Sequence, residues 1–464
     1  MGMLSLPELI AAHKRGMPVG IYSLCSAHPF VLEAGVQQAL EDEVPLLIES
    51  TANQVNQQGG YTSMTPADFR RYVERIADRL GFPHEQLILG GDHLGPYPWQ
   101  QESAAVALMK ARILVRDCVL AGYTKIHLDA SMRCADDPAG PLLDKATASE
   151  RAAVLCQAAE EAACSLESGR QRPLYVIGTE VPTPGGVLSP KAAPAVTTVE
   201  DVRETLELTR GAFLRRGLEE AWERVIAVVV QPGVEFGDDS LFPYDRRAAA
   251  PLAQFIENEK RLVFEAHSTD YQTRDALRAL VEDHFAILKV GPAATFAFRE
   301  AVFSLAMMEA EWLSRRRGVA LSNIRRVLDN VMVDVTAYWE RYYIGPEPRV
   351  QFARSYSFSD RLRYYWPDAE IQQALARLIA NLERYPVPLT LLSQFLPVQY
   401  ERVRMGRLDA APRALIYDKI RSVLADYVYA CRGERHTEEE WGAKKLAAPV
   451  SGAALRSYSH SLQE

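Results

Sequence analysis

The sequence predicts an α/β fold: a (β/α)8 TIM barrel with a C-terminal helical appendage. Three observations carry this expectation. Short Val/Ile/Leu-rich runs, apolar along most of their length, recur through the first two thirds of the chain. Such runs suit strands covered on both faces, as in a parallel sheet. Amphipathic stretches with recognisable helix starts separate them, so that strand and helix alternate eight times, the unit count of this barrel. A doubly wound open sheet is the competitor, and it is weaker because no run carries a Gly-rich nucleotide fingerprint.

The eight strand runs are Gly20–Cys25, Pro45–Glu49, Leu87–Gly91, Lys125–Asp129, Leu174–Thr179, Val225–Val230, Leu262–Ala266 and Phe285–Val290. Between them, Thr65-Pro66-Ala67-Asp68 places an N-cap, a first-turn proline and an acid ahead of Phe69–Leu80, which Gly81-Phe82-Pro83 ends. Thr147–Cys164 is Ala/Glu-rich and amphipathic, Thr197-Thr198-Val199-Glu200 opens another helix, and Thr273–His284 fills the gap before the last strand. These units give a barrel over 1–314. Residues 315–432 hold helical stretches such as Ser322–Tyr338 and Ile371–Leu382 between Pro-containing turns, an appendage packing on the barrel. Residues 433–464, charged and then Ala/Ser-rich, read as a loosely ordered tail.

Composition excludes several classes. At 464 residues, 48% hydrophobic and 24% charged, the chain has average globular usage, which rules out wholesale disorder, collagen and coiled coil. Its 52 basic against 60 acidic residues give a charge of −8, and nucleic acid is not an expected partner. No stretch of about 18 apolar residues offers a membrane span. The start, Met1-Gly2-Met3-Leu4-Ser5, lacks the regions of a signal peptide, and the six cysteines (25, 118, 134, 156, 164, 431) form no CxxC pair. A cytoplasmic location with free thiols is the expectation.

In such a barrel the reactive side chains sit at the C-terminal strand ends. Those ends supply Cys25-Ser26-Ala27-His28, Glu49 to Gln54, Asp92-His93, His127 to Ser131, Thr179-Glu180, Gln231-Pro232-Gly233, Glu265 to Asp270 and Lys289-Val290-Gly291. Four of the nine histidines fall there. His93, Glu180 and His267 together suit Zn²⁺ or a similar divalent ion. Asp92, next to His93, is a nearby base, although strand neighbours point apart unless the backbone twists locally. His127 and Asp129 share a face and could pair with each other. Lys289 could neutralise an enediolate or phosphate, or pair with Glu265. The amide-rich loop Asn53–Tyr61 suits sugar hydroxyls or is a turn-forming loop. The segment Arg354–Trp366, dense in Arg, Ser and Tyr, suits either the barrel mouth or a subunit contact.

Several motifs resemble a known family. They are Gly90-Gly91-Asp92-His93-Leu94-Gly95-Pro96, Lys125 to Met132, Val176 to Pro182, Val230 to Phe236, Phe264 to Gln272 and Ser359 to Pro367. From about residue 5 to about 431 the chain resembles the Z-subunit family of tagatose-1,6-bisphosphate aldolase, itself similar to class II, metal-dependent aldolases. The resemblance implies Asp92 as catalytic acid/base, His93, Glu180 and His267 as metal ligands, and Gly185-Gly186 following Glu180. At the strand-six position where those aldolases carry a ligand histidine, this chain has Gln231, a poorer zinc ligand.

The implied activity is metal-dependent C4 chemistry on a ketohexose or its phosphate by retro-aldol and aldol steps, foremost tagatose/fructose 4-epimerisation. The alternative is a non-catalytic, chaperone-like partner of the aldolase Y subunit. A kinase is disfavoured, because the sequence has no G-x-x-x-x-G-K-[ST] loop. The residues expected to act are Asp92, Asp129 and Lys289 in catalysis, with His93, Glu180, Gln231 and His267 on the metal. Zinc is preferred over Mn, Ni or Co. Asn53, Gln54, Ser131, Ser268, Asp270 and Arg361 are expected to bind substrate, and the chain to form a homo-oligomer.

Overall fold

A computed structural model describes residues 4–140, 143–166, 171–179 and 194–432. Eight parallel strands close on themselves: β1 (Ile21–Leu24), β2 (Leu46–Thr51), β3 (Leu87–Leu94), β4 (Lys125–Asp129), β5 (Leu174–Gly178), β6 (Val225–Val230), β7 (Val263–Ala266) and β8 (Ile287–Val290). The pairing of Ile21 with Ile287 joins the first strand to the last, which excludes the open sheet. A short antiparallel hairpin, Glu235–Phe236 with Leu241–Phe242, follows β6.

The local chemistry of the helices matches the sequence signals. The Thr65 hydroxyl accepts the Asp68 N–H, completing a capping box ahead of Pro66–Leu80, and Gly81 ends that helix in the left-handed region. Asp144, Thr198 and Thr273 cap Lys145–Cys164, Val199–Leu214 and Arg274–Glu282 in the same way. β3 runs three residues beyond the predicted Gly91, which carries Asp92 and His93 into the strand itself.

Period-two alternation sorts the barrel interior into layers. The floor is apolar: Ile21, Leu47, Leu174, Val176, Ala227, Val229, Val263 and Ile287 form one cluster with Leu6, Leu9 and Ile10 of the helix Leu6–Lys14, which plugs the bottom. Two residues further along the strands, the inward positions turn charged, with Ser23, Glu49, Lys125, Glu265 and Lys289 all buried. Above them lie Cys25, Asp92, His127 and His267 at the mouth.

The chain after β8 returns to the barrel. The helix Pro292–Leu313 is followed by Ile324–Asp334, Glu347–Tyr356, Ala369–Arg384, Leu389–Phe395, Pro397–Arg404 and Pro412–Cys431. Pro412–Cys431 packs against Pro29–Asp42, Arg274–Glu282 and Pro292–Leu313 and touches β1, filling the outer ring beside the β8–β1 seam. The Cys431 carbonyl accepts the Gly20 N–H at 2.9 Å, and the Tyr427 hydroxyl donates to the Thr269 carbonyl at 2.9 Å. Burial of Leu415, Ile416, Ile420, Leu424 and Val428 stabilises this arrangement by about 1.5–3 kcal/mol each. That sum is comparable with the whole stability of a typical domain, about 5–15 kcal/mol. A chain ending at residue 411 is therefore expected to lose its cooperative thermal transition in circular dichroism; a sharp transition within a few degrees of the full chain's would contradict this packing role.

Candidate functional site

The site begins with a bulge. β3 pairs Gly91 with Ile126 of β4 but Leu94 with Leu128, so β3 carries one extra residue there. His93 takes up the irregularity with φ of 49°, in the left-handed region. This is the local twist that lets Asp92 and His93 both face the cleft. Two glycines make room around it. A Cβ on Gly90 would lie 2.6 Å from Glu49 Oε1, and one on Gly95 would lie 1.5 Å from the Asp129 carbonyl oxygen.

Below the bulge a lattice of buried charges crosses the barrel. Lys125 Nζ lies 2.7 Å from both Glu49 Oε1 and Glu265 Oε2. Lys289 Nζ contacts Glu49 Oε2, and lies 3.0 Å from Asp92 Oδ1 and 3.6 Å from Glu265 Oε1. Ser23 Oγ donates to Glu49 Oε2 at 2.5 Å. Glu265 Oε1 in turn holds His267 Nε2 at 3.0 Å. Burial would raise Glu265, but Lys125 and Lys289 hold its carboxyl well below the usual range. Burial likewise opposes ionised Lys289, but Asp92 and the neighbouring acids raise its ammonium well above the ordinary lysine value.

Three histidines crown the lattice. The ring centroids of His93, His127 and His267 are 4.9–5.3 Å apart. His127 and Asp129 do not pair with each other. His127 Nδ1 lies 2.9 Å from Asp92 Oδ1, and Asp129 Oδ2 holds His93 Nδ1 at 2.8 Å. Burial would raise Asp92, but His93, Lys289 and His127 hold it well below the usual carboxylate range. His93 is raised because Asp92 and Asp129 outweigh its burial, whereas burial pushes His267 down to about 4.

These groups fit a divalent cation. Among the described residues, Asp92, His127, Glu265 and His267 offer ligand atoms that all lie within 4.8 Å of one another. His127 Nε2 is buried with no hydrogen-bond partner, the mark of a lone pair awaiting one. Asp129 fixes His93 through Nδ1 and leaves Nε2 toward the cluster, as carboxylates do behind ligand histidines. The charges agree: Glu49, Glu265 and Asp92 outnumber Lys125 and Lys289 by one.

Over this cluster opens a cleft of about 660 Å³, its solvent-open mouth included, into which Asn53, Gln54, Ser268, Asp270 and Lys289 all face. Other residues expected at the site lie elsewhere. Gln231 spends its side-chain oxygen on the Gly233 N–H at 2.8 Å and is not part of the ligand cluster. Asp129 sits behind His93, and Ser131 Oγ donates to Asp129 Oδ1 at 2.6 Å. Arg361 is buried against the Tyr342 ring and donates to the Tyr338 carbonyl; the guanidinium that lines the cleft is Arg363. Glu180 and Gly185-Gly186 lie outside the described residues. The amide-rich loop is largely self-satisfied, since Asn56 Oδ1 accepts the N–H groups of Gln58 and Gly60. Glu49, Lys125, Glu265, Cys25 and Tyr364 have no catalytic or ligand role assigned from the sequence, although Cys25, Glu49 and Glu265 stand at the strand ends. Charges of opposite sign at alternating positions of otherwise apolar strands are the signal that could have found the first three.

Residues 6–432 match the family described as D-tagatose-1,6-bisphosphate aldolase subunit GatZ/KbaZ-like. The chain belongs to this family. The crystal structure of a probable tagatose 6 phosphate kinase from Sinorhizobium meliloti 1021 is 44% identical, covering 89% of this chain and 100% of that one, with a TM-score of 0.80. The YdjI aldolase from Escherichia coli K12 is 9% identical over 83% of this chain and 98% of its own, with a TM-score of 0.40. A fructose-bisphosphate aldolase from Campylobacter jejuni is 15% identical over 82% and 94%, with a TM-score of 0.41. Among the described residues no helix is long and apolar enough to cross a membrane.

Three more carboxyls near the mouth are poised to titrate. Burial raises Glu235 to about 7 and both Asp270 and Asp360 to about 6. Their folded-state values exceed those of the unfolded chain, so the folded state binds more protons. Their contribution to stability is present below about pH 4 and lost as the pH rises through 6 to 7. Glu235→Gln should flatten the fall in melting temperature between pH 5 and 8, removing about 1–3 kcal/mol of pH-dependent stability. An unaltered slope would show that Glu235 ionises freely in the folded chain.

Proposed function

We propose that the chain catalyses C4 chemistry on a ketohexose or ketohexose phosphate by retro-aldol and aldol steps, foremost tagatose/fructose 4-epimerisation. The observation that carries this reading is the Asp92 carboxylate, ionised between His127 and Lys289 and lining a cleft that His93 and His267 also line. An ionised carboxylate held in a cleft by fixed partners can accept the C4 hydroxyl proton, the first requirement of C3–C4 cleavage. Family membership supports sugar-phosphate or sugar aldol chemistry at the coarser level.

His127 and His267 of the ligand cluster, with His93 packed beside them and Glu180 from outside the described residues, would hold a divalent ion and leave Asp92 free as the base, zinc by the imidazole-rich set and Mn, Ni or Co by the same donors. Bound there, such an ion supplies Lewis-acid polarisation of the substrate carbonyl. Asp92 takes the proton of the C4 hydroxyl. The C3–C4 bond breaks, its electron pair stays on the C3 side and spreads to the C2 oxygen, and C4 becomes an aldehyde. The Lys289 ammonium, held by Glu49, offsets that charge. Asn53, Gln54 and Ser268 orient the two fragments. Re-formation of the bond on the opposite face of the aldehyde, with Asp92 returning its proton, inverts C4 and leaves no net change in atoms or electrons.

Gln231 favours a second reading. Its amide oxygen is committed to Gly233, so strand six lacks the ligand histidine of the class II aldolases that the sequence resembles, which fits a supporting subunit that docks to the Y subunit of tagatose-1,6-bisphosphate aldolase. A homo-oligomer in the cytoplasm is compatible with both readings.

Elemental analysis of the purified full chain should give about one divalent ion per chain, and His127→Ala plus His267→Ala should remove most of it. Unchanged metal content in the double variant would dismiss this ligand set. Turnover separates the two functional readings. Asp92→Asn keeps the shape of the side chain and removes the base, so conversion of fructose to tagatose, or of their phosphates, should fall about a hundredfold or more. Metal content in the same preparation distinguishes loss of the base from loss of the ion. Conversion that appears only when an aldolase Y subunit is added would leave the supporting-subunit reading standing.

A further inference from the structure

A second cavity, about 840 Å³ with its open mouth, adjoins the cleft on the β1 side. The two share Cys25, Gln54, Tyr61, Gly291 and Arg363 as walls, so a ligand reaching past Arg363 passes from one into the other. Most of the second cavity is apolar, with Met64, Tyr72 and Pro367 on its sides. Its polar atoms are therefore conspicuous, because several of them have no partner.

Trp366 is 1% exposed, yet its indole Nε1–H finds no acceptor. Both ring nitrogens of His28 are closed off from solvent and likewise unpartnered. The ring itself packs against Phe298, with centroids 4.2 Å apart. A buried donor left unmade costs about 1–3 kcal/mol, which a native fold tolerates where a ligand completes it.

Arg363 stands at the junction. Its guanidinium donates to the carbonyls of Ser359 and Asp360 and, at 2.9 Å, to the Tyr364 hydroxyl. No carboxylate lies within ion-pair distance of it among the described residues. Asp360, the nearest acid in sequence, is occupied instead by the Thr295 hydroxyl at 2.5 Å. Five N–H groups with three of them engaged leave donors and a full charge facing the cavities.

We propose that Arg363, His28 and Trp366 form a subsite for a terminal oxyanion, the phosphate ester or carboxylate at the C6 end of the ketose. This deepens the function proposed above and rests on it for the identity of the ketose. The arrangement supplies what an oxyanion needs: one cation, two unpartnered nitrogen-bearing rings on the same cavity, and largely apolar walls around them. The subsite lies on the β1 side of the mouth, built by His28 after β1 and by Arg363 and Trp366 of the C-terminal segment, so it is separate from the ligand cluster around Asp92.

Calorimetric titration of the full chain with a free ketohexose, its 6-phosphate and the matching ketohexuronate tests the subsite without requiring turnover. The oxyanion-bearing ketoses should bind about tenfold or more tightly than the free sugar, and whichever of the two binds more tightly identifies the oxyanion. Arg363→Gln should abolish that preference. Trp366→Phe, which keeps the ring and removes only the N–H, should reduce it about threefold to tenfold. Equal affinity for charged and free ketose, or a preference that survives both substitutions, overturns the subsite. A preference lost on substitution in a chain that converts none of these sugars upholds the subsite and removes the C4 activity instead. Turnover of the free sugar with no preference does the reverse.

Discussion

Glu49 and Glu265 are fully buried carboxylates near the centre of the barrel, and two buried ammonium groups, Lys125 and Lys289, join them. Desolvating four charges costs several kcal/mol each, and only mutual contact offsets it. Removing any one would strand its partners, a loss of about 3–5 kcal/mol. The lattice therefore fixes strand register from the inside: β2, β4, β7 and β8 must each present one charge at the same height. It also fixes the chemistry above it. Lys289 is held by Glu49 at a point 3.0 Å from Asp92, and His267 is oriented by Glu265. The surplus of one carboxylate over the two ammonium groups makes the mouth a favourable place for a cation.

The bulge in β3 converts that electrostatic frame into a site. In a regular strand Asp92 and His93 would face opposite ways. The extra residue between Gly91 and Leu94, with the positive φ at His93, turns both inward. A β-bulge beside a reactive residue is how sheets commonly re-aim a side chain. Here it also produces the crossed pairing in which Asp92 takes His127 while His93 takes Asp129.

Much of the fold was legible because its signals are local. Apolar runs, capping boxes and a glycine after Leu80 are written into consecutive residues, and strand bounds follow them closely except at β3. The site was legible only where one residue sufficed to announce it. Asp92, His93, His267 and Lys289 stand at strand ends and show their chemistry individually. Glu49, Lys125 and Glu265 hide inside apolar runs, since their meaning lies in cross-barrel neighbours up to 240 positions apart in sequence. Gln231 misleads for a different reason: a local turn consumes its amide, which no spacing rule reports. Arg361 and Arg363 differ because residues two apart on a tight 3₁₀ turn project to different sides.

The segment beyond residue 314 matters to both stability and chemistry. Pro412–Cys431 covers the β8–β1 seam, and its Tyr427 hydroxyl bonds to Thr269, two residues after His267. Arg363, Tyr364 and Trp366 wall the cavities over the mouth. Ordering of this segment therefore couples the outer ring to the binding surface, and neither can be completed without the other. A barrel that borrows its seam cover from the distant C-terminal end carries the entropy cost of closing a long loop to complete that seam. The same dependence places the substrate-facing wall on a separate stretch of chain, where specificity can change without disturbing the charged lattice that holds Asp92.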